Sequence, residues 1–167
     1  MKVLHLLHKR STLIRHAAKG DCEQLLQLMK KLAVFENYID DFAVTEADLI
    51  SHGFPLDKNK LPSFTAIVAE RKSELVGYLV YYQIPFTYDL KPTLFIKELY
   101  VDKASRGESI GKQLMQAAIA DAKEKDCGRM KWDVLSDNIK AQSFYQSLGA
   151  SFDARWQGYV LEIPSNV

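Results

Sequence analysis

The sequence predicts one α+β domain, a single mixed, mostly antiparallel sheet flanked by helices in the order β-α-α-β-β-β-α-β-α-β. Three observations carry that reading. Strand-like and helix-like periodicities succeed one another with no linker, repeat or low-complexity stretch between them. Three strand-like runs follow each other in the middle of the chain, the first two joined by the turn "RKSE", as in an antiparallel hairpin. The length, 167 residues, suits one domain with a core of its own.

Each element has its own warrant. "TLIRHA" (Thr12–Ala17) alternates and is β-branched enough for a first strand. In "KGDCEQLLQLMKKLAVFE", Asp21 stands where an N-cap would, and Leu25, Leu28, Met29, Leu32 and Phe35 recur at helical spacing. "TEADLISHGF" opens with the capping-box pair Thr45 and Asp48 and ends a short second helix at Gly53. "FTAIVAE", "ELVGYLVYYQI" and "TLFIKELYV" are the three central strands. Residues 111–126 form a helix with Leu114, Met115, Ala118, Ile119 and Ala122 on one face. "RMKWDVL" is a fifth strand-like run, "NIKAQSFYQSLG" a short helix stopped at Gly149, and "WQGYVLEI" (Trp156–Ile163) a closing strand. Residues 1–11 are expected as an N-terminal arm ahead of a domain spanning 12–167.

Composition excludes several function classes. Lysines and arginines number 22 against 21 acids, a formal net charge of +1, which gives no footprint for nucleic acid or another polyanion. No run approaches the roughly 18 apolar residues of a membrane span. The apolar start is broken by His5 and His8 and has no small-residue cleavage site, so no signal peptide is expected. Cys22 and Cys127 form no C-x-x-C pair and read as reduced thiols of a cytoplasmic protein. The four histidines, His5, His8, His16 and His52, lack metal-ligand spacing, so no metal is expected.

The chemistry-bearing stretch is "SRGESIGKQLMQ". Gly107 and Gly111 bracket three residues between a strand ending at Val101 and the long helix. That is where a phosphate-binding backbone belongs, because glycine allows close approach and a helix N-terminus offers oriented N–H donors. A tight turn and nothing more is the alternative. The stretch is not a Walker loop, since Gly111 is followed by Lys112 and Gln113, nor the dinucleotide fingerprint of a first βα unit.

"ELYVDKASRGESIGKQLMQAA" resembles the acetyl-CoA-binding motif R/Q-x-x-G-x-G/A of the GCN5-related N-acetyltransferases. "NIKAQSFYQSLGA" resembles the same family's later Asn…Phe-Tyr…Gly segment, at the usual separation, and the resemblance covers about residues 12–163. "VYYQIPFTYD", "DCEQLLQLMKKLAVFE" and "TEADLISHGF" are similar to its diamine (spermidine/spermine) acetyltransferase branch, which includes enzymes acting on lysine-like amines. The resemblance implies acetyl-CoA as cofactor and a small primary amine as substrate. Protein lysine or N-terminal acetylation and a non-catalytic acyl-CoA sensor remain open. It places Arg106, Gly107, Glu108, Ser109, Ile110, Gly111 and Lys112 in the pyrophosphate loop, and Leu99, Tyr100 and Val101 on the strand whose backbone receives the pantetheine arm. Asn138 and Tyr145 match the second motif. Ser109 stands where the family prefers glycine; if that position needs φ > 0, serine costs about 1 kcal/mol or more. A homodimer is expected on resemblance alone.

Acyl transfer to an amine needs that amine neutral, although its ordinary pKa is about 10.4. It also needs a donor for the oxyanion and a proton for the departing thiolate. The resemblance offers Tyr145, at the helix start and facing the sulfur, for the proton; a core aromatic is the alternative. In the related branch the strand before the loop carries adjacent acids, where this chain reads Ile96-Lys97-Glu98. Strand alternation sends Glu98 to the face opposite Lys97 unless a bulge intervenes, so Glu98 is a candidate base or a structural group. Phe35, Glu36 and Asp89 match the lining of the amine channel, against a solvated helix end and a turn residue as alternatives. Lys97 would repel a polycation and favour an amine carrying its own carboxylate.

Overall fold

The computed structural model describes residues 11–57, 59–85 and 88–163. Ten of the eleven residues expected as an N-terminal arm therefore lie outside the described residues, His5 and His8 among them. The chain divides into two compact units, Met1–Asp133 and Val134–Val167.

The first unit contains β1 (Leu13–His16), α1 (Cys22–Phe35), α2 (Glu46–Gly53), β2 (Thr65–Arg71), β3 (Glu74–Ile84), β4 (Thr93–Val101), α3 (Ile110–Glu124) and β5 (Arg129–Trp132). The sheet runs β1-β2-β3-β4-β5 in space. Its first three pairings are antiparallel, and β4 with β5 is parallel, as the intervening helix requires. The β2–β3 hairpin closes Arg71 on Glu74. Its two turn residues, Lys72 (φ 50°) and Ser73 (φ 67°), both take the positive φ of the turn that matches strand twist.

Period-2 alternation sorts the sheet into two faces. Ala66, Val68, Tyr78, Val80 and Tyr100 pack with Cys22, Leu25, Leu28, Met29 and Leu32 of α1 and Leu49 of α2. Leu79 and Tyr81 of β3 lie on the other face, which α3 covers with Leu114, Met115 and Ala118, all buried. A polar network runs outward from this face: the buried Tyr81 Oη donates to Asp121 Oδ2 at 2.7 Å, and the exposed His16 meets the same oxygen through Nε2 at 2.8 Å.

Local capping agrees with the sequence for α2, where Thr45 and Asp48 form the reciprocal box. Asp21 differs. It occupies the N-cap position of α1 but makes no cap bond to it. Its carboxylate instead accepts from the Ala18 N–H at 2.7 Å and from Arg15 at 2.6 and 2.9 Å. That fork holds the Asp21 carboxyl below the ordinary range.

The second unit holds α4 (Ile139–Ser147). Asn138 caps it, its Oδ1 accepting the Ala141 N–H at 3.1 Å. Gly149 ends it at φ +89°, with Gly149 N–H on Gln146 O at 2.9 Å and Ala150 N–H on Tyr145 O at 3.2 Å, a Schellman motif. The closing strand expected over Trp156–Ile163 is a correction: these residues take no strand conformation. Tyr159, Val160, Leu161 and Ile163 are 79–90% exposed. Alternating apolar residues become a strand only where a neighbouring ladder satisfies their backbone, and propensity does not supply one.

Candidate active site

Between Glu98 and Ile96 the β3–β4 register slips. Val80 opposes Glu98 and Tyr81 opposes Ile96, which leaves Lys97 as the extra residue of a β-bulge. The slip resolves the question posed by Ile96-Lys97-Glu98. Ile96 shares its face with Tyr81, the α3 side. Glu98 shares its face with Val80, and so turns to the α1 side together with Tyr100.

On that side Glu98 Oε2 accepts the Tyr78 hydroxyl at 2.8 Å. Burial raises the Glu98 carboxyl above its ordinary value, while the Tyr78 hydrogen bond and the Lys97 charge oppose that rise. Glu36, just past the end of α1, is also raised by burial and held back by Lys97. The Tyr38 phenol is pushed up to about 12 by burial, with Glu98 and Glu36 adding to it. Lys97 thus lies within electrostatic reach of both carboxylates. Sequence reasoning missed Tyr38 and Tyr78, which carry no motif; only the aromatic alternation of "GYLVYY" marks Tyr78 as inward.

The β4–β5 ladder runs from Thr93 opposite Arg129 to Ile96 opposite Trp132, and β4 then continues alone of the two to Val101. The bulge and the parting of the strands coincide. Leu99, Tyr100 and Val101 therefore lie on the part of β4 that β5 does not pair, where an extended ligand can add itself as a strand.

Past Val101 the chain makes a short 3-10 turn (Lys103–Ser105) and enters the glycine turn. Gly107 has φ +82° and Ser109 φ +62°, so Ser109 does occupy a left-handed position. A Cβ on Gly107 would meet nothing within 4 Å, so glycine serves the backbone conformation there. The 15-residue α3 starts at Ile110, with Ser109 at its N-cap making no side-chain cap bond and no acid in its first turn. Its first helical bond is Gln113 N–H on Ser109 O at 3.0 Å, so the amides of Ile110, Gly111 and Lys112 lie ahead of the ladder. An uncapped positive helix end with Lys112 in the first turn can receive an anion such as a diphosphate.

Arg106 turns away from this turn. Its Nε donates to Val101 O at 2.9 Å, and its guanidinium lies 5.4 Å from the Phe35 ring and 5.6 Å from the Tyr100 ring. Phe35 and the glycine turn are thereby joined. Asp89 ion-pairs with Arg129 of β5 at 3.1 Å, and Tyr88 stacks on the same guanidinium at 4.6 Å. Those contacts pin the β3–β4 connection to the start of β5. They do not bring Asp89 to the Glu36–Lys97–Glu98 group.

Within the second unit, Tyr145 lies in the last turn of α4, and not at its start as the sequence suggested, with its ring 5.3 Å from Phe144. Its side chain is half-buried. Among the described residues no group of three or more metal-ligating side chains comes together, and no helix is long and apolar enough to cross a membrane.

Residues 26–150 match the model of the acetyltransferase (GNAT) family. The chain is 32% identical over 148 residues to thialysine N-epsilon-acetyltransferase of Sus scrofa, covering 84% of each. It is 34% identical over 146 residues to the spermidine/spermine N(1)-acetyltransferase-like protein 1 of Homo sapiens, covering 82% of this chain and 20% of that protein. Among solved structures, an integron cassette protein of V. cholerae superposes with a TM-score of 0.75 at 27% identity, over 91% of this chain and 93% of that one. With the parted β4–β5 ladder, the bulge and the glycine turn before α3, these matches make the chain an N-acetyltransferase of the GNAT family.

Proposed function

We propose that this protein uses acetyl-CoA to acetylate a primary amine of a small, lysine-like molecule by direct transfer in a ternary complex. The observation that carries the reading is the bulge at Lys97, which turns Glu98 to the α1 side, within electrostatic reach of Lys97 and Glu36 and next to the stretch Leu99–Val101 that β5 leaves without a partner on its side. Likeness to an enzyme named for thialysine, a lysine analogue, supports the substrate class.

In this reading the amides of Ile110, Gly111 and Lys112 hold the cofactor's diphosphate, and the β4 backbone from Leu99 to Val101 holds its pantetheine arm. The bound cofactor supplies the activated acetyl thioester. Glu98, raised by burial, takes the proton of the incoming ammonium directly or through water. The Tyr145 hydroxyl returns a proton to the departing sulfur, and Asn138 orders the helix that carries Tyr145. Glu36 attracts the amine, while Lys97 attracts a carboxylate and repels a second ammonium.

The protein is proposed to work in the cytoplasm as a homodimer, its catalytic domain spanning residues 12–167. The exposed apolar run from Trp156 to Ile163 supports the pairing. Free thiol release from acetyl-CoA over a panel of amines tests the activity. Cofactor binding without turnover on any amine would favour the sensor.

A further inference from the structure

The glycine turn contains an acid, which an anion site should not. Glu108 is the sole carboxylate between Asp102 and Asp121, and it sits between the two left-handed residues Gly107 and Ser109. A unit negative charge there opposes a diphosphate arriving at the end of α3.

The fold answers it from another element. Arg71, the last residue of β2, reaches Glu108 with both terminal nitrogens, Nη1 on Oε1 at 3.1 Å and Nη2 on Oε2 at 2.7 Å. Its Nε donates to Thr12 Oγ1 at 2.7 Å, which fixes the plane of the fork. The Arg71 side chain is only 10% exposed, against 40% for Glu108. A planar guanidinium aligned in this way is the pairing in which arginine and carboxylate match best. The cost of ordering a mostly buried arginine is hard to justify by an exposed ion pair alone, because such pairs contribute little to stability.

We propose that Arg71 is a positioning residue for cofactor binding: it neutralises Glu108 and holds that carboxylate, so that the turn receives a diphosphate instead of repelling it. The inference rests on the reading of the turn as the CoA diphosphate site.

The test is a cycle of CoA affinities measured by titration calorimetry on the full chain, with melting curves recorded without CoA. Arg71→Ala is expected to weaken CoA binding by about five- to tenfold, the size of one uncompensated charge near a partly exposed anion. Adding Glu108→Gln to that variant is expected to return the affinity to within about twofold of the parent, since the repelling charge is gone. A purely structural pair would leave the double variant no better than Arg71→Ala, and that result overturns the inference. So does an Arg71→Ala protein that binds like the parent. Should Arg71→Ala fail to fold, Glu108→Gln alone still decides: it is expected to bind CoA at least as tightly as the parent, and weaker binding overturns the inference. A parent protein that does not bind CoA at all removes the cofactor reading itself, a distinct outcome.

Discussion

The Tyr78 hydroxyl donates a hydrogen bond to Glu98 across two neighbouring strands, at 2.8 Å, one residue beyond the bulge at Lys97. The Tyr78 side chain is fully buried, and its hydrogen bond favours the ionised form of the carboxylate. The relationship makes Glu98 tunable from behind. Tyr78→Phe is expected to raise the Glu98 pKa further. If Glu98 takes the amine's proton, the acid limb of the kcat/KM profile then moves to higher pH while the alkaline limb stays. A pH profile of both proteins checks it, and an unmoved acid limb would remove Glu98 from proton transfer.

Glu98 also sets stability against activity. Its folded-state pKa lies above the unfolded value, so its contribution to stability is full below the unfolded pKa and is lost as pH climbs through the folded one. Glu98→Gln is therefore expected to melt above the parent at pH 8, where the buried carboxylate is charged in the parent. The difference should vanish in mild acid, and turnover should fall. A variant that melts lower at pH 8 than the parent contradicts the assignment.

Ser109 is held at φ +62° with no cap bond. Ser109→Gly is expected to stabilise the fold by up to about 1 kcal/mol by relieving the left-handed strain. CoA should bind it no less tightly, because the turn keeps its shape. Gly111→Asp is the opposite case: a carboxylate at the positive end of α3 is expected to abolish CoA binding while leaving the fold intact. Urea unfolding and CoA titration read both variants.

Tyr145→Phe is expected to lower kcat by about 10- to 1000-fold, the range of general acid catalysis, with little change in KM for acetyl-CoA. An undiminished kcat would assign the ring to packing beside Phe144.

Features decided by neighbours in the chain are legible in the sequence. The Thr45–Asp48 box, the Lys72–Ser73 turn and the Gly149 stop each follow from a few adjacent residues. So does the glycine turn, with its strand-turn-helix setting between β4 and α3. Features decided across strands are not. The Lys97 bulge is a matter of which β4 residue faces Val80, and "IKEL" carries no mark of it. Asp21 reads as a cap because its partner, Arg15, is chosen by the fold, and the pairing of Asp89 with Arg129 is likewise set across strands. The Trp156–Ile163 run shows the limit in reverse: its pattern is that of a strand, but a strand also needs a partner.

The most direct measurement follows thiol release from acetyl-CoA with thialysine and with spermidine, for the parent and for Lys97→Glu. The parent is expected to prefer thialysine by kcat/KM. Lys97→Glu is expected to shift that ratio toward spermidine by about tenfold, equivalent to about 1.4 kcal/mol of differential interaction. Spermidine as the better substrate of the parent protein, or no thiol release with either amine, would contradict the account.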